Sequence, residues 1–349
     1  MLLSICIPTY NRGHLALKRV KEILGIDSQD IELIVSNNGS TERKEYYEQI
    51  TSIQNPRLHY FEFEKNQGFV ENTCQVIRLS RGDFCMLLSD EDSVIAENLP
   101  LYLDMIRHAS RFTGDLFGNA WDTVGVIFGS LSTLRYTEAN LTAGEESVKG
   151  AYMWGNYLSG LFFNRQVITN QVVDRMQQEY KDNIAWIYYP HLFFITASII
   201  KNRTIMCRTP IVLKGENDRL ESTIEGRKGK TCIEGEEFLL PLAYNAWEHR
   251  LEQMKGFCQH IRDLDVSDDI KFLMFCKVCQ KTLHVMQCAK PGYLQSGAPW
   301  EKAMLALVRG MFEYLNEIDI AVVSQRRKLA QQNIIESVRR INGMIVHVL

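Results

Sequence analysis

The sequence predicts an α/β chain: a Rossmann-like, mostly parallel sheet flanked by helices, followed by a helical C-terminal domain. Three observations carry this. Apolar runs of strand length begin near residues 2, 31, 57 and 84, each separated by a stretch of helical period, and such alternation marks right-handed parallel crossovers. Polar loops leave the carboxyl ends of these runs, the edge at which open α/β sheets bind ligands. From Glu236 onward almost everything has helical period. A first domain over residues 1–231, with halves 1–100 and 101–231, and a helical domain over 232–349 are therefore expected.

Leu2–Ile7 is the first strand, stopped by Pro8, which has no N–H for a central ladder. Thr9–Gly13 turns into a helix with Leu17, Val20 and Leu24 on one face and Gly25 near its end. Ile31–Val35 is the second strand, and the polar loop Ser36–Thr41 leads to a charged helix reaching about Ile53, ended by Asn55-Pro56. Arg57–Phe63 is the third strand. Asn66-Gln67-Gly68 then opens a helix through Val70, Cys74, Ile77 and Leu79. The fourth strand starts at Phe84. Further on, Ala96–His108 is helical despite Pro100, Asp122–Phe128 and Leu161–Phe163 are strands, Tyr188–His191 opens a helix, and Thr204–Leu213 is the last strand. The polar stretch Lys214–Thr231, with its basic Arg227-Lys228-Gly229-Lys230, reads as a mobile loop.

Composition narrows the classes. Hydrophobic residues make up 46% and charged residues 23%, with a net charge of -3, so no global field attracts nucleic acid. Nine cysteines, among them Cys6 and Cys85 inside strands, read as reduced thiols of a cytoplasmic protein. A strand beginning at about Leu2 leaves no room for a signal peptide, and no apolar run approaches the ~20 residues of a membrane span. Cys276, Cys279, His284 and Cys288 approach zinc-knuckle spacing, but a continuous helix over Ile270–Ala289 would spread them over about three turns. Arg326-Arg327-Lys328 and Arg339-Arg340 flank Ile334, Ile335, Val338 and Ile341; a packed helix with a solvated basic face is favoured over contact with an anionic membrane surface.

The fourth run, Phe84–Leu88, stops in Ser89-Asp90-Glu91-Asp92. On an extended segment Asp90 and Asp92 point the same way and Glu91 faces away. Two carboxylates converging at a strand end are hard ligands suited to Mg²⁺ or Mn²⁺ that also holds phosphates. Asp263-Leu264-Asp265 repeats the spacing without a preceding strand, so context decides.

Ser4–Arg12, Val35–Thr41, Asn66-Gln67-Gly68 and Leu88–Asp92, taken in this order, resemble the family 2 glycosyltransferases. Tyr157–Gly160 and Tyr189-Pro190-His191 resemble, more weakly, the acceptor segment of bacterial surface-polysaccharide members such as abequosyltransferase-like enzymes. The resemblance implies a GT-A fold, a nucleotide-diphospho-sugar donor and a divalent metal. It implies Pro8, Thr9, Tyr10, Arg12, Asn37, Lys65, Asn66 and Asp90 about the nucleotide, Asp92 with Asp90 at the metal, and Trp154, Tyr157 and Ser159 about the acceptor. Asn37 replaces the family's usual aspartate. The family's acidic base is missing, and His191 takes its place as the expected base beside the rivals Asp182 and Asp218. At a helix amino terminus its imidazole is biased toward the neutral form, which accepts a proton near pH 7. The expected activity is metal-dependent transfer, with inversion, onto a glycan or lipid-linked acceptor. A nucleotide-sugar-binding subunit without turnover is the alternative, suggested by Asn37, Glu91 and His191.

Overall fold

The computed structural model describes residues 1–111, 123–155, 157–215, 228–230, 237–239, 246–295, 297 and 299–342. The chain divides into two compact units, Met1–Lys181 with Ile187–Ser222, and Asp182–Trp186 with Thr223–Leu349.

The first unit begins as four strand-helix repeats: β1 (Leu3–Thr9), α1 (Gly13–Leu24), β2 (Ile31–Asn37), α2 (Lys44–Thr51), β3 (Leu58–Glu62), α3 (Phe69–Leu79) and β4 (Phe84–Leu87). It continues through β5 (Ser93–Val94), α4 (Leu99–Arg111), β6 (Val124–Leu131), β7 (Ala139–Leu141), α5 (Glu145–Ala151), β8 (Leu161–Asn164) and α6 (Asn170–Tyr180). The short α7 (Ile184–Tyr188), whose residues up to Trp186 belong to the second unit, then leads to α8 (Pro190–Lys201) and β9 (Arg203–Leu213) of the first. The strands form one sheet in the order β3-β2-β1-β4-β8-β6-β9-β5, with β7 also on β9. β3, β2, β1 and β4 are parallel. β8 inserts antiparallel between β4 and β6, while β9 lies parallel to β6 and antiparallel to β5 and β7. The alternation therefore describes half of the sheet, and the other half is mixed.

β1 runs through Pro8 to Thr9, two residues past the expected stop. Even-numbered β1 residues face β4, whose ladder has ended at Leu87 by the level of Pro8. The missing N–H thus forfeits no ladder bond. The side chains of Leu3, Ile5 and Ile7 pack with those of α1, α4, β2 and β4 in one apolar cluster. Each such side chain withdrawn from water contributes about 1.5–3 kcal/mol. The expected strand over Asp122–Phe128 is β6, and Asp122 lies outside the described residues.

In the second unit, α9 (Trp247–Asp263), α10 (Asp268–Cys288), α11 (Lys290–Gln295), α12 (Trp300–Glu317), α13 (Ala321–Gln325) and α14 (Arg327–Asn342) pack together, α10 against both α9 and α14. A short ladder pairs β10 (Lys228–Lys230) with β11 (Glu237–Leu239), so part of the stretch expected as a mobile loop is a strand. Most of that stretch, and the boundary near 232, fall outside the described residues. α10 is continuous through Cys276 and Cys279, both buried, to the exposed Cys288. α14 buries Ala330, Ile334 and Val338, while Arg326 pairs with Asp269 at 2.7 Å and lies over Phe272. No described helix is long and apolar enough to cross a membrane.

Candidate active site

The chain visits β1, β2 and β3 in one direction across the sheet and then returns to place β4 on the other side of β1. The crevice at that reversal, outside the strands' carboxyl ends, is where such sheets bind ligands. Thr9 ends β1 and Asp90 follows β4, so both stand at this crevice. Thr9 Oγ1 donates to Asp90 Oδ2 at 2.8 Å, and Arg12 donates through Nη1 to Asp90 Oδ1 at 2.9 Å and through Nη2 to Glu91 Oε2 at 3.2 Å.

The acids do not continue the strand. The Asp92 N–H donates to the Ser89 carbonyl at 3.1 Å, closing a turn. A turn breaks the alternation of an extended chain, and the expectation that Glu91 faces away is corrected: it shares Arg12 with Asp90 and Tyr157 with Asp92. Burial pushes the Asp90 carboxyl above its usual range, opposed by the Arg12 guanidinium and the Thr9 hydroxyl. The Thr9 proton is committed to Asp90, so the Tyr47 hydroxyl, 3.0 Å away, donates to Thr9 while accepting the Arg12 N–H at 3.1 Å. Tyr47, on α2, is a site residue that the sequence reading missed.

Asp92 is wholly buried. Its Oδ2 accepts from Ser159 Oγ at 2.6 Å, and its Oδ1 accepts the Gly215 N–H at 2.9 Å and lies 3.3 Å from the Tyr157 hydroxyl. Lys214 lies over the Tyr157 ring at 5.1 Å. Gly215 passes so close to the Glu91 carbonyl that a Cβ there would collide with it. Of the roughly four acceptor positions on a carboxylate, three at Asp92 are taken by described donors and one on Oδ2 is left. That hard oxygen suits a Mg²⁺ or Mn²⁺ ion. Among the described residues no group of three or more His, Cys, Asp or Glu could hold a metal ion by itself, so an ion here would draw most of its shell from oxygens outside the protein.

The remaining expected residues divide. Pro8, Tyr10 and Arg12 are partly exposed at the end of β1, and Lys65 is exposed. Asn37 is 1% exposed; its Oδ1 accepts from the Ser40 N–H at 3.1 Å and from the Ser40 hydroxyl, and its Nδ2 donates to the Tyr60 hydroxyl at 3.1 Å. Asn66 Oδ1 accepts from Asn38 Nδ2 and from the Gly68 N–H, both at 2.8 Å. Both amides brace loops. Trp154 is half exposed, and Tyr157 and Ser159 belong to the acid turn's surroundings. His191, the second residue of α8, is 3% exposed, and burial pushes its pKa down to about 4 against a weaker upward pull from the Gly155 backbone. The structure gives it no hydrogen bond or ion pair to the acid turn. Asp182 is exposed and belongs to the second unit, and Asp218 lies outside the described residues.

Residues 4–124 match the family described as Glycosyl transferase family 2. The colanic acid biosynthesis protein WcaA of Escherichia coli K12 is 26% identical over 175 residues, 49% of this chain and 56% of that protein. The abequosyltransferase RfbV of Salmonella typhimurium LT2 is 30% identical over 246 residues, 65% of this chain and 71% of that protein. The chain thus spans little more than half of WcaA and over two thirds of RfbV. S. aureus TarS 1–349, also solved in complex with UDP-GlcNAc, superposes over 98% of this chain and 90% of its own with a TM-score of 0.57 at 13% identity. That likeness identifies the fold: a GT-A sheet with a helical region after it.

Proposed function

The chain belongs to glycosyl transferase family 2, and from that premise we propose that it moves a sugar from a nucleotide-diphospho-sugar to a glycan or lipid-linked acceptor in bacterial surface-polysaccharide synthesis. The observation that carries the reading is the union of the β1 end with the acid turn, where Thr9 and Arg12 grip Asp90 and Glu91 beside a buried Asp92. Support comes from RfbV, named an abequosyltransferase, and from TarS, whose fold this is and which was solved with UDP-GlcNAc.

In this reading the nucleotide lies over the ends of β1 and β2 against Pro8, Tyr10, Arg12 and Lys65, on loops braced by Asn37 and Asn66. Asp92, with Asp90 held back by Arg12, would carry Mg²⁺ or Mn²⁺ together with the diphosphate oxygens; such an ion neutralises the charge of the departing diphosphate. Tyr157 closes the acceptor side, and the half-exposed Trp154 offers a sugar an aromatic face. Transfer proceeds with inversion, and His191 serves as base only when the packing around Gly155 opens to expose its imidazole. The buried His191 is also the observation favouring the second reading, a nucleotide-sugar-binding subunit without turnover. The chain would work on the cytoplasmic side, its basic Lys328, Arg339 and Arg340 available to an anionic leaflet.

A thermal-shift panel of nucleoside diphosphates and nucleotide-sugars, with and without Mn²⁺, tests the proposal. A ligand at about a hundred times its Kd stabilises the native state by about 2.7 kcal/mol. The reading expects a Mn²⁺-dependent rise with one base, absent from Asp92→Ala, and slow donor hydrolysis lost in the same variant. Binding without turnover on any acceptor supports the second reading, and a chain stabilised by no nucleotide refutes both.

A further inference from the structure

Ser159 joins the acid turn to β8, and its hydrogen bonds have only one possible polarity. Its Oγ lies 2.8 Å from the Ser89 backbone nitrogen, which can only donate, and 2.6 Å from Asp92 Oδ2. A hydroxyl has one proton. Having accepted from Ser89, Ser159 donates that proton to Asp92. The residue is 2% exposed, so water does not readily replace either partner. The two bonds hold both ends of the turn, Ser89 and Asp92, from a single atom.

The backbone that presents this hydroxyl is itself fixed. The N–H of Gly160 donates to the Leu87 carbonyl at 3.1 Å, and its own carbonyl accepts the Gly129 N–H at 2.8 Å. Gly160 has φ +86°, and a Cβ there would meet the Gly129 carbonyl oxygen at 2.7 Å. Only glycine takes this conformation and this approach at little cost. Ser159 is therefore delivered by a turn pinned to β4 on one side and β6 on the other. From across the acid turn, the Gly215 N–H and the Tyr157 hydroxyl approach the other oxygen, Oδ1.

We propose that Ser159 is a positioning residue: its hydroxyl fixes the rotation of the Asp92 carboxylate so that the one remaining Oδ2 acceptor position faces the divalent cation, and Ser159 does not contact the acceptor. This rests on Asp92 being the cation's ligand, the reading given above. Partners that orient a metal-binding carboxylate typically change metal affinity 10–100-fold when removed. Without the Ser159 proton, the Asp92 side chain is free to turn toward Gly215 and Tyr157.

Mn²⁺ titration of the full-length chain by electron paramagnetic resonance, with and without UDP, tests this, each variant being measured well below its own melting temperature. Ser159→Ala is expected to weaken Mn²⁺ binding about tenfold, and Ser159→Thr, which keeps the hydroxyl, to recover most of the loss. Unchanged Mn²⁺ affinity in folded Ser159→Ala overturns the proposal, whether or not the melting temperature falls. Equal weakening in the Ala and Thr variants overturns it too, because the hydroxyl would not be the cause. A wild-type chain that takes up no Mn²⁺ under either condition overturns the metal reading itself, and that failure is seen before any substitution is made.

Discussion

Glu32 is 2% exposed at the amino end of the parallel half-sheet, the end opposite the acid turn. Its Oε1 accepts from Ser4 Oγ at 2.6 Å and from the Arg81 N–H at 2.7 Å, and its Oε2 lies 3.2 Å from His59 Nε2. One carboxylate thus ties β1, β2, β3 and the turn before β4. Glu32→Ala would leave the buried Ser4 hydroxyl without an acceptor, at about 1–3 kcal/mol, and the Arg81 N–H with only its longer 3.2 Å bond to Ser4 Oγ. A loss of about 3 kcal/mol in urea unfolding is expected, with Glu32→Gln losing less. At this scale the sequence was legible where chemistry is local. Thr9, Arg12, Asp90 and Asp92 stood out because a strand ending in acids, set beside a polar loop, is unusual. Tyr47 did not, because an amphipathic charged helix carries half-buried tyrosines for many reasons and nothing nearby points to Thr9. The direction of Glu91 is not legible, because it follows from the turn closed by Asp92 and Ser89 and an extended reading points it the other way. The resemblance places Ser159 about the acceptor, and nothing local in the sequence points to its hydrogen bond with Asp92, 67 positions upstream.

At the scale of elements, α1 ends where Arg57 reaches over from the start of β3. Its guanidinium donates to the carbonyls of Leu24, Ile26 and Ser28 at 2.5–2.9 Å. The last carbonyls of a helix have no partners within it, and a cation there also suits the helix dipole. Arg57→Ala is expected to cost about 1–2 kcal/mol, with faster amide exchange confined to the last turn of α1. The first four strands were readable because each helix and strand announces its period within about ten residues. The order β4-β8-β6-β9 was not, because pairing partners are chosen by non-local burial that no local period encodes. Pro8 misled for a related reason. Whether a proline ends a strand depends on whether a neighbour is present at that level, and here β4 has already stopped.

For the whole molecule, acidity is the lever. His191 in the first unit and His260 in the second are held neutral by burial, with pKa values pushed down to about 4 and about 3. Unfolded histidine titrates near 6.5, so between pH 6.5 and 4 the unfolded chain binds protons that the folded chain refuses. Stability is therefore full above about pH 6.5 and falls as the pH drops toward 4, by an amount on the order of 3 kcal/mol for each histidine. Urea midpoints measured from pH 7.5 down to 4.5 should decline steadily, and His191→Gln, which cannot titrate, should flatten the part of the decline that belongs to the first unit. A catalytic histidine in open contact with water would not produce this acid loss.

The crowding of Gly215 against the Glu91 carbonyl makes position 215 a mechanical stop. Adding a single carbon there would drive a wedge between the exit of β9 and the acid turn while leaving every charge in the molecule unchanged. Gly215→Ala should therefore let deuterium into peptides spanning residues 89–93 faster than wild type, with the helices of the second unit exchanging as before. The barest residue in the neighbourhood would then be the one that keeps Asp92 dry.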